Sequence, residues 1–148
     1  MGDIIIKKAE RTHIKGLYHM IEELAIFEKA RDEMWMSLED YYDAYDKSHF
    51  RAIVAIDGDE VIGTCVFYHS FSTWKGKMMY LEDFVVKASH RRRGVGQLLF
   101  DRLKDICKEE DFKLLKWQVL DWNTIALDFY EKNKATIEKE WWNGKIIF

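Results

Sequence analysis

The segment that most constrains the fold is a basic stretch with two glycines in the middle of the chain, His90-Arg91-Arg92-Arg93-Gly94-Val95-Gly96-Gln97. The residues before it, Met79–Val86, are apolar, aromatic and β-branched, a composition typical of a strand. The residues after it place apolar side chains at helical spacing as far as about Asp111. The sequence therefore predicts a strand, a short basic loop and a helix that begins in that loop.

This arrangement is chemically suited to hold an anion. Backbone N–H groups in the first turn of a helix have no helical partner, and they lie at the positive end of the helix dipole. Gly94 and Gly96 carry no side chain that would cover this backbone. Guanidinium groups suited to phosphate are supplied by Arg91, Arg92 and Arg93. We therefore predict that the loop binds a pyrophosphate or another polyanion.

Other interpretations of the loop stay open on the residues alone. It is not a Walker A loop, because no Gly-Lys-Ser/Thr follows, and Leu99 stands where a dinucleotide fingerprint has its third glycine. A solvated basic turn, or a patch that touches nucleic acid, would have the same composition. The net charge of −3 argues against nucleic acid as the main partner. The acidic first 50 residues suit a cationic substrate, but they also suit scattered surface charge.

The hydrophobic patterns predict one α+β domain over residues 1–148, with a mixed, mostly antiparallel central sheet flanked by helices. Helices are predicted from a cap at Thr12 to about Glu28, from a Ser37–Asp40 capping box to about Asp46, from the glycine loop to about Asp111, and from a cap at Asn123. Strands are predicted at Asp3–Lys7, Phe50–Ile56, Val61–His69, Met78–Val86, Leu114–Leu120, Thr136–Trp142 and Lys145–Phe148, the last two joined by an Asn143-Gly144 turn. Met34-Trp35-Met36 is interpreted as a lid over the core rather than as a binding motif.

Composition narrows the class further. Cys65 and Cys107 have no metal-like neighbours, so reduced thiols in a cytoplasmic protein are expected. No apolar run approaches 18 residues, so no membrane span is expected. The five histidines show no metal spacing, and no metal is expected.

The sequence resembles the GNAT superfamily of acetyl-CoA-dependent N-acyltransferases. The resemblance rests on Arg91-x-x-Gly94-x-Gly96 after a strand, on Asn123 followed by Phe129-Tyr130, and on the order of the elements. Within that superfamily, the segments Glu22–Glu28, Trp74–Phe84 and Trp122–Tyr130 are similar to the spermidine/spermine and thialysine N-acetyltransferases. The similarity extends from about Ile4 to Trp142.

The resemblance implies a GNAT-like fold that binds acetyl-CoA and transfers the acetyl group directly to an amine. Backbone amides on the Glu82–Val86 strand would polarise the thioester carbonyl where that strand splays from its neighbour. Tyr130 corresponds to the family's general acid, which protonates the leaving CoA thiolate. The residues implied to bind the cofactor are Phe84, Val85, Val86, Arg91, Arg92, Arg93, Gly94, Val95, Gly96, Gln97, Asn123 and Tyr130.

The resemblance also implies acidic residues that receive the amine. We assign Glu82 as the proton acceptor, acting through water, and Asp83 as a second substrate contact. Neighbouring residues of a strand point to opposite faces, so both face the substrate only if a bulge intervenes. Glu28, with Phe27 beside it, would bind the far ammonium, and Trp74 with Trp141 or Trp142 would cover the methylene chain or stack on the cation. Solvated surface acids remain the alternative for Glu28, Glu82 and Asp83.

Several departures from the family pattern leave the substrate open. Arg92 stands where the relatives tend to carry a glycine, and Asn133 stands in place of a glycine as a candidate left-handed cap. The turn at Asp57-Gly58 is shorter than in the polyamine enzymes, in a region that borders the substrate site in the family. A polyamine, a diamine and a lysine-like amino acid therefore all remain possible acceptors. The rival functions are acetylation of a protein, peptide or drug amine, and a non-catalytic CoA-binding regulatory module. By resemblance, a homodimer is expected.

Overall fold

The computed structural model describes residues 2–148 as an α+β protein. Short 3-10 turns at Arg11–His13, Arg31–Glu33 and Ala88–His90 lie ahead of the first three helices. In chain order the strands and helices are β1 (Ile4–Lys8), α1 (Ile14–Phe27), α2 (Leu38–Asp46), β2 (Arg51–Asp57), β3 (Glu60–Ser72), β4 (Gly76–Val86), α3 (Val95–Glu109), β5 (Leu114–Trp117) and α4 (Thr124–Lys132).

The five strands form one sheet in the order β1-β2-β3-β4-β5. The first four pair antiparallel with their sequence neighbours, and β5 pairs parallel to β4. The predicted mixed, mostly antiparallel sheet is therefore confirmed. The chain divides into two compact units, one that ends at Gln118 and contains the sheet, and one from Val119 to Phe148 that contains α4. The single domain over residues 1–148 stays a prediction.

Two helices cover the two faces of this sheet. Leu17 of α1 packs in a buried cluster with Val54 and Val66. Side chains alternate along a strand, so Gly63 faces the other side from Val66. There a Cβ on Gly63 would lie 3.0 Å from the Leu99 Cδ1 atom of α3. The sheet thus holds α1 and α3 on opposite faces, which fixes the loop between β4 and α3.

Helix α1 lies tightly against the sheet at Gly16, where a Cβ would lie 2.8 Å from the side chain of Val61. We expect Gly16→Ala to lower the free energy of unfolding by about 1 to 3 kcal/mol, because overpacking outweighs the better helix propensity of alanine. Urea denaturation of the variant and the wild type measures this change in the free energy of unfolding. The matched control is Gly96→Ala in α3, whose Cβ would meet Phe84 at an ordinary 3.7 Å. If Gly16→Ala were as stable as wild type, the tight helix–sheet contact would be contradicted.

Local capping signals explain where two of the helices begin. The hydroxyl of Ser37 accepts a hydrogen bond from the Asp40 amide, and the Asp40 carboxylate accepts one from the Ser37 amide. This confirms the predicted capping box of α2. The side chain of Asn123 accepts from the Ala126 amide, which confirms the predicted cap of α4. For α1 the predicted cap is wrong by one residue, because Thr12 lies inside a 3-10 turn and His13 is the N-cap of a helix that begins at Ile14.

The predicted strands after α4 are not formed. Residues 136–142 and 145–148 have no strand structure, although Asn143-Gly144 is a favoured hairpin turn. The side chains of this segment are largely exposed, with Trp142 at 94% and Phe148 fully so. A two-stranded hairpin without a packed apolar face is marginal in water, so local turn and strand preferences do not suffice here.

Two other boundaries differ from the prediction. Strand β5 ends at Trp117 rather than at Leu120. The turn between β3 and β4 is shorter than predicted, because the ladder continues until Ser72 pairs with Gly76. The Ser72 hydroxyl accepts hydrogen bonds from the amides of Trp74 and Lys75, which closes this tight turn.

Candidate active site

The connection from β4 to α3 passes twice through left-handed backbone. Arg92 has a φ of 63° and Gly94 a φ of 79°. Gly94 caps the N-terminus of α3, and its carbonyl accepts a hydrogen bond from the Leu98 amide at 3.0 Å. The amides of residues 95–97 therefore lie in the first helical turn, where no helical carbonyl is available to them.

The side chains of the loop leave this backbone open. The three arginines at positions 91–93 are exposed. Arg91 donates from Nε to the Val86 carbonyl at 3.1 Å, and its guanidinium carbon lies 5.9 Å from the centre of the Phe27 ring. A Cβ on Gly94 would meet no atom within 4 Å. An open cap, a helix N-terminus and exposed guanidinium groups together fit a polyanion.

The start of the loop is anchored to the turn between β2 and β3. The Nε2 atom of His90 lies 3.0 Å from the Asp57 carboxylate, and its Nδ1 atom lies 2.8 Å from the Ser89 hydroxyl. His90 is largely buried in this contact. The structure therefore gives this histidine a structural role.

Strand β4 loses one of its two neighbours halfway along. Its parallel pairing with β5 ends where Leu81 faces Trp117. Beyond that pair, residues 83–86 are paired with β3 alone among the described strands. A strand with a neighbour on one side presents N–H and C=O groups on the other. Phe84, Val85 and Val86 all lie on this one-sided stretch.

A β-bulge lies at the point where β4 becomes one-sided. Val66 pairs with Asp83 and Phe67 with Leu81, so Glu82 has no partner on β3. A bulged residue interrupts the alternation of side chains and turns two successive residues toward one side. Glu82 and Asp83 line the same cavity. The sequence allowed Glu82 and Asp83 to face the same side only if a bulge intervened, and the structure contains that bulge.

This cavity has a volume of about 280 Å³ and is formed by α1, the segment before α2, α2 and β4. One part of its wall is apolar, lined by Ile21, Leu24, Ala25, Ala30, Met34, Trp35 and Met36. The rest is Tyr41 and four acids, Glu28, Glu33, Glu82 and Asp83. The described lining contains no basic side chain, and its acids lie beside an apolar surface.

The acids of the cavity are electrostatically strained. None of the ion pairs formed within residues 2–148 involves Glu28, Glu82 or Asp83. Burial, followed by the charges of Glu82 and Glu28, raises the pKa of Asp83 to about 7. Burial also raises the pKa of Glu28. Each shift reflects the cost of a carboxylate held away from water without a cation.

The predicted substrate residues are brought together only in part. Glu28, Glu82 and Asp83 share the cavity, whereas Phe27 packs beside Arg91 outside the lining. Trp74 lies in the turn between β3 and β4 and is 86% exposed. Six residues of extended strand, about 20 Å, separate the start of β4 from its bulge. The predicted role of Trp74 at the substrate stays a prediction.

Several cavity residues were not identified from the sequence as site residues. Met34 packs against the main core cluster, as expected of a lid, but it also lines the cavity. Tyr41 packs edge-on against Tyr18, with ring centres 5.0 Å apart. Burial and the charge of Asp83 raise the pKa of Tyr41 far above its ordinary value, so its hydroxyl stays protonated. The helical spacing of Tyr41 from Leu38 indicated that Tyr41 lies on the inward face of α2, but it did not indicate that Tyr41 lines a site.

The second unit places Asn123 and Tyr130 on α4. Asn123 caps the helix, and Tyr130 is only 6% exposed one residue after Phe129, with the two ring centres 5.6 Å apart. The predicted left-handed cap is wrong by one residue. Asn133 has a φ of −86°, while Lys134 has a φ of 60°. The Asn133 side chain instead donates to the Phe129 carbonyl at 2.9 Å, which holds it in the helical region.

Comparison with known proteins decides the family. Residues 14–134 match the model of the Acetyltransferase (GNAT) family. The chain belongs to the GNAT family of acetyltransferases. It is 31% identical over 119 residues to a thialysine N-epsilon-acetyltransferase of Caenorhabditis elegans, covering 80% of this chain and 74% of that protein. A protein of the same name from Bos taurus is 30% identical over 155 residues, covering 97% of this chain and 91% of the relative.

The fold of this GNAT acetyltransferase agrees with solved structures. An aminoglycoside N-acetyltransferase in complex with CoA superposes with a TM-score of 0.80 at 14% identity, covering 98% of this chain and 96% of that one. The family match and the thialysine acetyltransferase relatives, rather than this structural likeness, show that the chain is an acetyl-CoA-dependent N-acetyltransferase.

The described residues form neither a metal-binding cluster nor a membrane-spanning helix. Among residues 2–148, no group of three or more histidine, cysteine, aspartate or glutamate side chains is placed to hold a metal ion. Over the same residues, every helix is too short or too polar to cross a bilayer.

Proposed function

We propose that this GNAT acetyltransferase acetylates a primary amine of a small cationic substrate, namely a polyamine, a diamine or a lysine-like amino acid. The observation that carries the proposal is the cavity in which Glu28, Glu82 and Asp83 meet without a basic neighbour. A buried carboxylate is costly without a counter-charge, so an ammonium group is the ligand that this cavity favours. The names of the thialysine acetyltransferases point to the same substrate class.

The apolar wall supports a substrate with a methylene chain. Glu28 ends α1 on one side of the cavity, and Glu82 and Asp83 lie at the bulge of β4. The side chains of Leu24, Met34 and Met36 supply an apolar surface of the same cavity. A molecule with two ammonium groups joined by methylene groups would satisfy both acidic ends and cover that surface.

The cofactor is assigned to the loop and the one-sided strand. Acetyl-CoA supplies the acetyl group as a thioester, which needs no covalent enzyme intermediate. In the proposal, Arg91, Arg92, Arg93 and the amides of residues 94–97 hold the pyrophosphate, and the backbone of residues 84–86 binds near the thioester. Asn123 contacts the pantetheine arm, and Tyr130 donates a proton to the leaving thiolate. The acetyltransferase domain is proposed to span both compact units, because the family match crosses their boundary.

The predicted homodimer is retained as part of the proposal on the family resemblance alone, and the cytoplasmic location on the two free cysteines, Cys65 and Cys107. The proposal concerns a small amine substrate and not nucleic acid or a membrane.

The proposal is tested by acetyl transfer from acetyl-CoA to a panel of amines, with release of the CoA thiol as the readout. The panel contains spermidine, spermine, putrescine, lysine, thialysine and a basic peptide. We expect strong preference for one of the small polycations. Preference for the peptide would contradict the small-substrate proposal. Binding of CoA without transfer to any amine would contradict an acetyltransferase of small amines and favour a regulatory CoA-binding module.

The role of Glu28 is tested by Glu28→Gln. We expect the KM for a diamine to rise about tenfold, because a charge-assisted contact to the far ammonium is lost. The KM for a monoamine of equal length is expected to change less than about twofold, since that substrate has no second ammonium. Steady-state kinetics with both amines measures the difference. The control is Glu23→Gln, an exposed position on the same helix. Equal effects on both amines would contradict the far-ammonium role.

A further inference from the structure

The two acids at the β4 bulge differ in their surroundings. Glu82 is the unpaired residue of the bulge and is exposed to solvent. Asp83 follows it, pairs with Val66 on β3 and is partly buried. Both line the cavity, so either side chain is within reach of an amine that enters it. The bulge therefore places a solvent-exposed carboxylate, Glu82, next to a partly buried one, Asp83.

The groups that face Asp83 are acidic or neutral on every element of the cavity wall. Glu82 faces it from β4, Glu28 from the end of α1, and Glu33 from the turn before α2. Tyr41 faces Asp83 from α2 as a neutral phenol. The residue that pairs with Asp83 on β3 is Val66, which is apolar. The described lining offers no lysine, arginine or histidine. The described lining of the cavity therefore supplies no cation to ionised Asp83.

We propose that Asp83, rather than Glu82, takes the proton that the substrate ammonium loses before the amine attacks. The assignment rests on the proposed function and differs from the sequence-based choice of Glu82. Under this assignment, the solvent-exposed Glu82 attracts the cationic substrate but does not accept its proton.

The proton transfer is favoured by shelter from water. An N–H bond of the ammonium breaks, an O–H bond forms on the Asp83 carboxylate, and the nitrogen keeps the electron pair that attacks the acetyl carbonyl. Desolvation disfavours both the carboxylate and the ammonium, so the neutral acid and the neutral amine are the less costly pair in a sheltered cavity. After the attack, the nitrogen loses a second proton, which replaces the proton that Tyr130 gives to the leaving thiolate. Asp83 releases the first proton to solvent.

The protonation equilibrium of Asp83 supports this role. Its pKa, raised to about 7 by burial and by Glu82 and Glu28, lies about three units below that of a free alkylammonium. An ordinary carboxyl group lies about six units below it. The sheltered carboxylate is therefore the stronger base, and it is still substantially ionised at neutral pH.

The first test is the pH dependence of kcat/KM for wild type, Asp83→Asn, Asp83→Glu and Glu82→Gln. We expect the wild-type rate to rise with pH through about 7 as Asp83 ionises. Glu82→Gln keeps this limb but moves it to lower pH, since a neighbouring negative charge is gone. Asp83→Asn loses the limb and about 10²- to 10³-fold in kcat, with CoA affinity unchanged. Asp83→Glu restores a limb. Thermal unfolding checks that each variant is folded.

A second readout separates proton transfer from a structural role. The variant Asp83→Asn is assayed with n-propylamine, which is charged at pH 7, and with 2,2,2-trifluoroethylamine, which is largely neutral at that pH because its fluorines withdraw electrons from the nitrogen. We expect the loss of kcat to shrink to a few-fold with the neutral amine, because no proton has to be accepted before attack. An equal loss with both amines would overturn the assignment.

The remaining outcomes are also decisive. If Glu82→Gln loses the acid limb, whether or not Asp83→Asn does so too, the assignment to Asp83 alone is overturned while the proposed function stands. If the wild-type enzyme binds CoA but acetylates no amine, the proposed function fails, and the role of Asp83 fails with it.

Discussion

Replacing Tyr130 by phenylalanine is expected to lower kcat by about 10²- to 10³-fold and to leave the Kd of CoA nearly unchanged. A phenol, with a pKa near 10, is protonated at neutral pH and is able to donate to a thiolate whose conjugate acid has a pKa of about 8.5. Phenylalanine keeps the ring that is buried on α4 and removes only the hydroxyl. Steady-state kinetics and calorimetric CoA binding measure the two effects separately.

The control for this variant is Tyr42→Phe on α2. The ring of Tyr42 lies 4.6 Å from the guanidinium carbon of Arg11, and Tyr42 is not part of the cavity lining. We expect its removal of one hydroxyl to leave turnover unchanged. A Tyr130→Phe enzyme with wild-type kcat would remove Tyr130 from the proposed mechanism, and a large loss of CoA affinity would show that its role is binding.

The second large effect concerns stability. Asp83 has its pKa raised from 3.8 to about 7 in the folded protein, so the folded state holds this proton more tightly than the unfolded state does. The resulting stabilisation is complete below about pH 4 and is lost as pH rises through about 7. At pH 8 the ionised, sheltered carboxylate therefore weakens the fold. We expect Asp83→Asn to be more stable than wild type at pH 8 by about 2 to 4 kcal/mol.

Urea denaturation of both proteins at pH 5 and pH 8 measures this effect. The difference in unfolding free energy between the variant and wild type is expected to grow with pH, because only wild type carries the titrating carboxyl at position 83. The control is Asp59→Asn, an exposed acid in the turn between β2 and β3. A difference that does not change with pH would contradict the strained carboxylate.

Together the two aspartate experiments describe one trade-off. The substitution that removes an unfavourable buried charge is expected to stabilise the fold and to remove the proton acceptor from the site. Such a gain in stability at the expense of turnover is typical of residues kept for chemistry rather than for folding.

Local sequence patterns predicted the elements whose causes are local. The Ser37–Asp40 capping box and the Asn123 cap are satisfied within three residues of chain, and both were predicted correctly. The glycine loop was predicted as the start of a helix, and Gly94 is its capping residue. The hairpin at Asn143-Gly144 was predicted from equally local signals but is absent from the described residues, because a hairpin also needs a packed face.

The site depended on contacts between distant parts of the chain. The sequence indicated that Glu82 and Asp83 would share a face only if a bulge intervened, but it did not show whether the ladder contains one. The pairing of Val66 and Phe67 with residues on either side of Glu82 decides this. Tyr41 and Glu33 enter the cavity because α2 and the turn before it pack near β4, a juxtaposition that no local pattern in those segments contains.

The central claim is that the acidic cavity selects a small molecule with two cationic groups. It is tested most directly by competition, in which the wild-type enzyme receives acetyl-CoA with equal amounts of a diamine and of the monoamine of the same chain length. Mass spectrometry of the two acetylated products gives the ratio of their kcat/KM values. We expect the acetylated diamine to predominate by about tenfold or more, since a second charge-assisted contact is available to it. Equal amounts of the two products would contradict the account.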